Sequence, residues 1–304
     1  MMFSFKHLLS STQLTVSHVE DLIEKTDEYY EKRNERNCKD LAGRILATLF
    51  FEASTRTRFS FESAMYRLGG HVVSLEQGLS SSVKKGESLS DMGRMMSHYA
   101  DIVVIRHPDI GSVDSFSKYA TIPIINAGDG SNQHPTQSLV DLYTIYKEKG
   151  TLSNLKIGFL GDLKYSRTVR SLVSLLKQYS STFSFISHES LMISDALRHE
   201  LLDTGSSFVE TFDLKTVLAD LDILYVTRVQ KERFESKELY EMVKNKYFLK
   251  EEDVYKIPHL TILHPLPKIN EIDKSVDFLS HAKYFKQAEY GVYVRMALLN
   301  AMCY

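Results

Sequence analysis

The sequence predicts an α/β protein of two domains, each built on a mainly parallel sheet flanked by helices. Three observations lead there. The chain has 304 residues, about twice what a single core of ordinary size accommodates. Short apolar runs alternate with amphipathic segments in two successive series, the pattern of strand–helix–strand crossovers. The polar residues of chemical interest follow those apolar runs, where open parallel sheets present ligand sites.

Taken in order, residues 16–30 read as a helix for which Ser17 and Glu20 offer a capping box, and 34–39 as a polar loop. Residues 44–51 read as a buried strand. A helix from Ser54 carries Phe61, Met65 and Leu68 on one face and stops at Gly69-Gly70. Strand 71–75, a Ser/Lys/Gly-rich loop through Gly86, helix 87–99 and strands 101–105 and 121–125 complete the first series. The helix bearing Leu139, Leu142, Tyr143 and Tyr146 ends near Gly150 and marks the division. The second series has strands at 155–160, 182–186, 222–226 and 260–263 and a helix over 168–179. A last apolar helix, near 290–302, places Val294, Ala297, Leu298 and Ala301 at helical spacing, as for a tail that packs back on the first domain.

Hydrophobic residues make up 43% of the chain and charged residues 25%, enough apolar matter for a core and too much for disorder. Lys and Arg number 37 against 39 Asp and Glu, so no overall positive field speaks for nucleic acid or an acidic membrane, and any anion site must be local. Cys38 and Cys303 form no CxxC pair, which argues against a disulfide framework or thiolate metal site and fits a reducing cytoplasm. The apolar part of the opening segment, interrupted by Lys6 and His7, is too short for a span or a signal peptide. No HxH, HExxH or calcium-loop spacing suggests a metal, and no redox cofactor is called for.

The most informative stretch is Ser54-Thr55-Arg56-Thr57-Arg58, between a strand and an amphipathic helix. Ser54 is suited to cap that helix, whose first-turn N–H groups lack partners and point toward the strand end. Such a start holds phosphate through those N–H groups, with the hydroxyls and Arg56 as added donors. A plain cap followed by surface arginines is the alternative, though a cap needs one hydroxyl and here there are three. Lys84 and Lys85 read either as solvated loop charge or as further donors. Arg106 follows Ile105 at a strand end, and His134 follows the turn-rich run from Asn126 to Gly130. Gln137, one turn into the next helix, offers a neutral amide that distinguishes an NH2 group without adding charge.

The segments from Phe51 to Arg58, His134-Pro135-Thr136-Gln137, Gly161 to Arg167 and His264-Pro265-Leu266-Pro267 stand in a specific order. In them the chain resembles, over essentially its whole length, the catalytic chains of the aspartate carbamoyltransferase family. The resemblance implies transfer of the carbamoyl group of carbamoyl phosphate to L-aspartate in pyrimidine biosynthesis. It implies a carbamoyl-phosphate domain of residues 1–135 with 287–304, and an aspartate domain of residues 136–286, with the active site in the interdomain crevice. It puts phosphate contacts at Ser54, Thr55, Arg56 and Thr57, with Arg106 reaching phosphate and carbonyl. His134 and Gln137 would meet the carbamoyl end, and Thr57, Arg106 and His134 would surround the carbonyl oxygen. Ser81 and Lys85 would come from the adjacent subunit of a homotrimer, Lys85 reaching aspartate as well. Arg167, Arg228 and Gln230 would hold the aspartate, with backbone contacts to both substrates at Leu266 and Pro267. Glu52, Arg167 and Arg233 are candidates for contacts that favour closure. Regulatory chains are possible partners in a larger assembly.

The loop before Lys84 lacks the glycine expected there, and Lys268 stands where close family members have arginine. Two cationic side chains suit a dicarboxylate and would repel the terminal ammonium of ornithine. A transfer to another amine, and a sensor without activity, are the alternatives within the resemblance. Gly158-x-x-Gly161 raises a nucleotide-binding reading, against which stands the lack of GxxxxGK[ST] and of the three-glycine fingerprint.

Overall fold

The computed structural model describes residues 3–35, 37–76, 86–229 and 247–304. The chain divides into two compact units, one running through Tyr143 and resuming at Ala288–Tyr304, the other spanning Thr144–Gln287.

The first unit opens with α1 (Val16–Glu31), which buries Val19, Leu22, Ile23, Thr26 and Tyr29, the spacing of one helical face. Its cap is Thr15 rather than Ser17. The Thr15 hydroxyl accepts from the His18 N–H, and the His18 ring accepts from the Thr15 N–H, so the reciprocal pair forms two residues earlier than the Ser17–Glu20 reading. Then come β1 (Ile45–Phe50), α2 (Thr55–Arg67), β2 (His71–Glu76), α3 (Leu89–Met96), β3 (Ile102–His107), α4 (Ser112–Ser117), β4 (Ile124–Asp129) and α5 (Pro135–Lys149). The sheet order is β2-β1-β3-β4, all parallel. From β1 the chain proceeds to β2 on one side, and β3 lies on the other, so the carboxyl ends of β1 and β3 form a switch point where loops part and leave room for a ligand.

Apolar side chains fill one side of this sheet: Ala47, Leu49, Val103, Ile105 and Ile124 pack with Met92, Val113 and Phe116. Strand β4 runs on through Asn126, Ala127, Gly128 and Asp129, where the sequence reads as turn. The extension is held by side chains rather than by apolar burial: Asn126 Oδ1 accepts from the Gly128 N–H at 2.8 Å.

The second unit contains β5 (Lys156–Leu160), α6 (Arg167–Leu176), β6 (Thr182–Ile186), α7 (Asp195–Asp203), β7 (Phe208–Thr211), β8 (Ile223–Val226), α8 (Glu251–Val254) and β9 (Thr261–Leu263). Its strands, also parallel, run β7-β6-β5-β8-β9, which puts a second switch point between β5 and β8. Phe159, Phe183, Phe185 and Tyr225 cluster on one face with ring centroids 5.6–6.3 Å apart, an aromatic layer of large buried area. The final helix, α9 (Tyr284–Cys303), begins six residues before the sequence reading. Within the first unit its Tyr290 and Tyr293 meet Tyr30 edge-on, and Tyr290 meets Tyr143. Among the described residues, no helix is long and apolar enough to cross a membrane.

At the second switch point the loops after β5 and β8 touch. Thr227 N–H donates to Leu160 O at 2.8 Å, and its hydroxyl reaches Asp162 O at 3.1 Å. Gly161 has φ +115°, and a Cβ there would stand 2.2 Å from Thr227 O. Both the conformation and the contact exclude a side chain. Gly161→Ala is therefore expected to cost about 1–3 kcal/mol of unfolding free energy, read as a lower urea midpoint. Gly150→Ala supplies the control, since its φ is also positive but nothing lies within 4 Å. Equal losses in the two variants would contradict the steric account.

Candidate functional site

In the first unit the register sets Phe50 of β1 beside Arg106 of β3. The Phe51 N–H still donates to Arg106 O at 2.9 Å, so the chain leaving β1 stays against the end of β3. That brings Glu52 and Ser54 to the guanidinium: Arg106 Nε donates to Glu52 Oε2 at 2.8 Å and Nη1 lies 3.4 Å from the Ser54 hydroxyl. Ser54 occupies the cap position of α2 in extended conformation but makes no capping hydrogen bond. The cap expected of it is replaced by the Arg106 contact, which leaves the first-turn N–H groups of α2 without that acceptor. Thr55 and Arg56 are exposed, and Thr57 is buried. Donors on a helix start, with a paired and largely buried arginine beside them, are the kind of groups that hold a phosphate-sized anion.

His134 is delivered by a network around Asp129, whose carboxylate is wholly buried. Oδ1 accepts from Asn126 Nδ2 at 3.0 Å and from the Gln133 N–H at 3.1 Å. Oδ2 accepts from Asn132 Nδ2 at 2.9 Å and from the Gly111 N–H at 3.1 Å. A buried carboxylate holding four donors fixes the turn it sits in. His134 follows that turn, its ring buried and Nδ1 3.5 Å from the Thr136 hydroxyl. Its carbonyl accepts from the Gln137 and Ser138 N–H groups, and Pro135 opens α5, where its missing N–H costs nothing. Gln137, one turn in, donates from Nε2 to Asp141 Oδ1 at 2.7 Å. The sequence reading of this loop missed Asp129 and Asp141. The run Gly128-Asp129-Gly130 reads as a turn, and its carboxylate acquires a role only through partners on other segments.

In the second unit Arg167 is the first residue of α6 and Arg228 follows β8, so both stand at the β5/β8 switch point. Each is half-buried. The turn before Arg167 is set by Asp162, wholly buried, whose Oδ1 accepts from the Tyr165 N–H at 3.0 Å. Leu266 and Pro267 follow β9 and are joined by a cis peptide bond, with Leu266 at φ +56°. His264 anchors that turn. Its Nδ1 accepts from the Leu266 N–H at 2.8 Å, a group that can only donate, so the ring proton is on Nε2, which donates to Glu271 Oε1 at 2.8 Å. Burial keeps His264 neutral, aided by the nearby positive charges of Lys268 and Arg228. Burial works to raise the Glu271 carboxyl, but hydrogen bonds from His264 and the Ile269 N–H outweigh it and hold the group below its ordinary value. Glu271 has no local sequence signal, since only the fold brings it to His264. Lys268 is engaged elsewhere, 2.9 Å from Asp277.

Ser81, Lys84, Lys85, Gln230 and Arg233 lie outside the described residues. Glu52, expected to favour closure, is the partner of Arg106.

His264, His7, His107 and His281 are all held below the ordinary imidazole value of 6.5, chiefly by burial. Unfolding restores that value, so below about 6.5 the unfolded chain binds more protons, and stability present above it is lost as pH falls toward the folded values. The contribution of Glu271, whose ordinary value is 4.5, is lost only in a lower window. Urea midpoints should therefore drop between about pH 7 and about pH 5.5, and His264→Asn should flatten the slope. A midpoint independent of pH over that interval would refute this.

Residues 6–147 match the family model described as the carbamoyl-P binding domain of aspartate/ornithine carbamoyltransferase, and residues 153–302 match that of its Asp/Orn binding domain. The chain is 48% identical over 299 residues to the aspartate carbamoyltransferase catalytic subunit of Methanocaldococcus jannaschii, covering 98% of this chain and 97% of the relative. It is 47% identical over 301 residues to that of Methanopyrus kandleri, with coverage of 98% and 97%. The solved catalytic subunit of M. jannaschii aspartate transcarbamoylase superposes with a TM-score of 0.92, 48% identity and 98% of both chains covered. The Trypanosoma cruzi enzyme, solved with carbamoyl phosphate and aspartate, gives a TM-score of 0.91 at 35% identity, with 97% and 96% covered. By these matches the chain belongs to the aspartate/ornithine carbamoyltransferase family, among the aspartate carbamoyltransferase catalytic subunits.

Proposed function

We propose that the chain transfers the carbamoyl group of carbamoyl phosphate to the amino group of L-aspartate, giving N-carbamoyl-L-aspartate and phosphate in pyrimidine biosynthesis. The observation that carries the reading is the placement of arginines at both switch points. Arg106 lies at the first, beside the α2 helix start that bears Arg56, and Arg167 and Arg228 lie at the second. One group suits a phosphorylated donor, the other an acceptor with two carboxylates.

Ser54, Thr55, Arg56, Thr57 and Arg106 bind the phosphate. His134 and Gln137 meet the carbamoyl end. Arg167, Arg228 and Gln230 hold the two acids of aspartate, with backbone contacts from Leu266 and Pro267. The neutral amine of aspartate attacks the carbamoyl carbon, and the carbonyl oxygen gains negative charge. Thr57, Arg106 and His134 stabilise that charge more in the transition state than in the substrate, the condition for catalysis rather than affinity alone. The carbon–oxygen bond to phosphate then breaks, and phosphate takes the amine proton. Neither cysteine is needed as a nucleophile, and burial pushes the Cys303 thiol up to about 11, away from the reactive thiolate.

The chain acts in the cytoplasm as a homotrimer in which Ser81 and Lys85 complete the site of the adjacent subunit. The designation of the relatives as catalytic subunits supports an oligomer and admits regulatory chains in a larger assembly.

The purified chain is expected to release phosphate from carbamoyl phosphate with L-aspartate and not with L-ornithine. Failure with aspartate specifically would reject the acceptor assignment. Arg106→Ala should lower kcat about 10²- to 10³-fold, the cost of removing one oxyanion donor. Unchanged turnover at saturating substrates would remove its transition-state role.

A further inference from the structure

Arg295 of α9 is only 4% exposed, and its guanidinium lies 5.0 Å from the centroid of Phe61 on α2. Nη1 donates to Gly291 O at 3.0 Å, one turn back on the same helix. Gly291 carries no side chain where a Cβ would stand 2.6 Å from that nitrogen, so the helix leaves room for the arginine. Its Nε has no hydrogen-bond partner among the described residues. Burial pulls the guanidinium down to about 10, and the charge of Asp141 acts against that pull. A buried cation leaves water at a cost that a nearby anion offsets, and the anion in whose field Arg295 sits is Asp141.

Asp141 is wholly buried and lies four residues beyond Gln137 on α5, the spacing of facing side chains. It takes the Gln137 Nε2 hydrogen at 2.7 Å. An ionised carboxylate only accepts. The amide must therefore turn its NH2 to Asp141, which makes Oε1 the end that accepts from a ligand. A neutral Asp141, or an asparagine, would hold the amide in either sense.

We infer that Asp141, in the field of buried Arg295, is a positioning residue that fixes the Gln137 amide with its oxygen toward the donor site, and so selects a donor whose acyl group ends in NH2. The inference rests on the reading of Gln137 as a contact of the carbamoyl end and deepens it. The helix start and Arg106 bind any acyl phosphate through its phosphate, whereas the fixed amide rewards carbamoyl phosphate alone. Acetyl phosphate has the same outline with a methyl group in place of NH2, and it leaves Oε1 without a hydrogen.

The test measures binding of carbamoyl phosphate, acetyl phosphate and inorganic phosphate to the full-length protein, as inhibition constants or KM values in the aspartate assay. Asp141→Asn is expected to weaken carbamoyl phosphate about three- to tenfold, the worth of one neutral hydrogen bond. It should leave acetyl phosphate and inorganic phosphate within about twofold. In a Gln137→Ala background the same change should shift no preference, because the two residues act as one unit. Uniform weakening of all three ligands, or an intact preference, would overturn the inference. Should Asp141→Asn not fold, Arg295→Lys and Arg295→Met decide: loss of preference in the methionine variant alone supports the assignment, and equal preference in both overturns it. An unaltered protein that does not favour carbamoyl over acetyl phosphate would defeat the donor reading itself, which is a distinct result.

Discussion

The parallel pairing of β1 with β3 brings the Phe50 backbone level with Arg106, and the Phe51 N–H continues the ladder onto the Arg106 carbonyl. From that one register follow the Glu52 ion pair, the Ser54 contact and the direction in which α2 leaves the sheet. A shift by one residue would turn Arg106 to the opposite face, because successive strand side chains alternate. The sheet order adds a second constraint. Since β2 and β3 flank β1 on opposite sides, the crossovers that follow β1 and β3 run in opposite directions across the sheet, the arrangement at which open sheets take ligands. The same arithmetic holds for β5 and β8 in the other unit.

Buried charge is concentrated at these carboxyl ends. Asp129 organises the turn before His134, Asp162 the turn before Arg167, Asp141 the amide of Gln137 and Glu271 the ring of His264. None of these carboxylates is exposed. Each would cost several kcal/mol unpartnered, and each is matched by donors. Thr55 and Arg56 are exposed, and Arg167, Arg228 and the Arg106–Glu52 pair are half-buried, whereas these four carboxylates are buried. The carboxylates that hold their neighbours in place are thereby kept from solvent.

Strong periodicity made most elements legible. Strands such as β5 and β6 and helices α2, α5 and α6 have apolar residues at the spacing that burial demands, so local pattern and final structure agree. Strand β7 escaped because it lies at the sheet edge and buries neither face fully, which removes the apolar run that marks a strand. The sequence reading contains neither α4 nor α7. The far end of β4 differs from the sequence reading because Asn126, Gly128 and Asp129 are turn residues by local preference, and distant partners overrule that preference: Leu9 O accepts from Asn126, and the Gly111 N–H donates to Asp129. Ser54 holds the cap position of α2 but makes no capping bond for a similar reason: its hydroxyl lies against an arginine 52 residues away.

The sequence by itself determined the fold class and the family, and it singled out the cationic residues proposed for the two substrates. Those rest on hydrophobic period and on short ordered motifs, which are properties of neighbouring residues. Tertiary structure alone decided which carboxylates stand behind those cations. Asp129, Asp141, Asp162 and Glu271 resemble any other acidic residue in a string of letters. Their roles arise from burial and from partners brought in by other segments of the fold, and a carboxylate acquires such a role only when water is taken away and specific donors replace it.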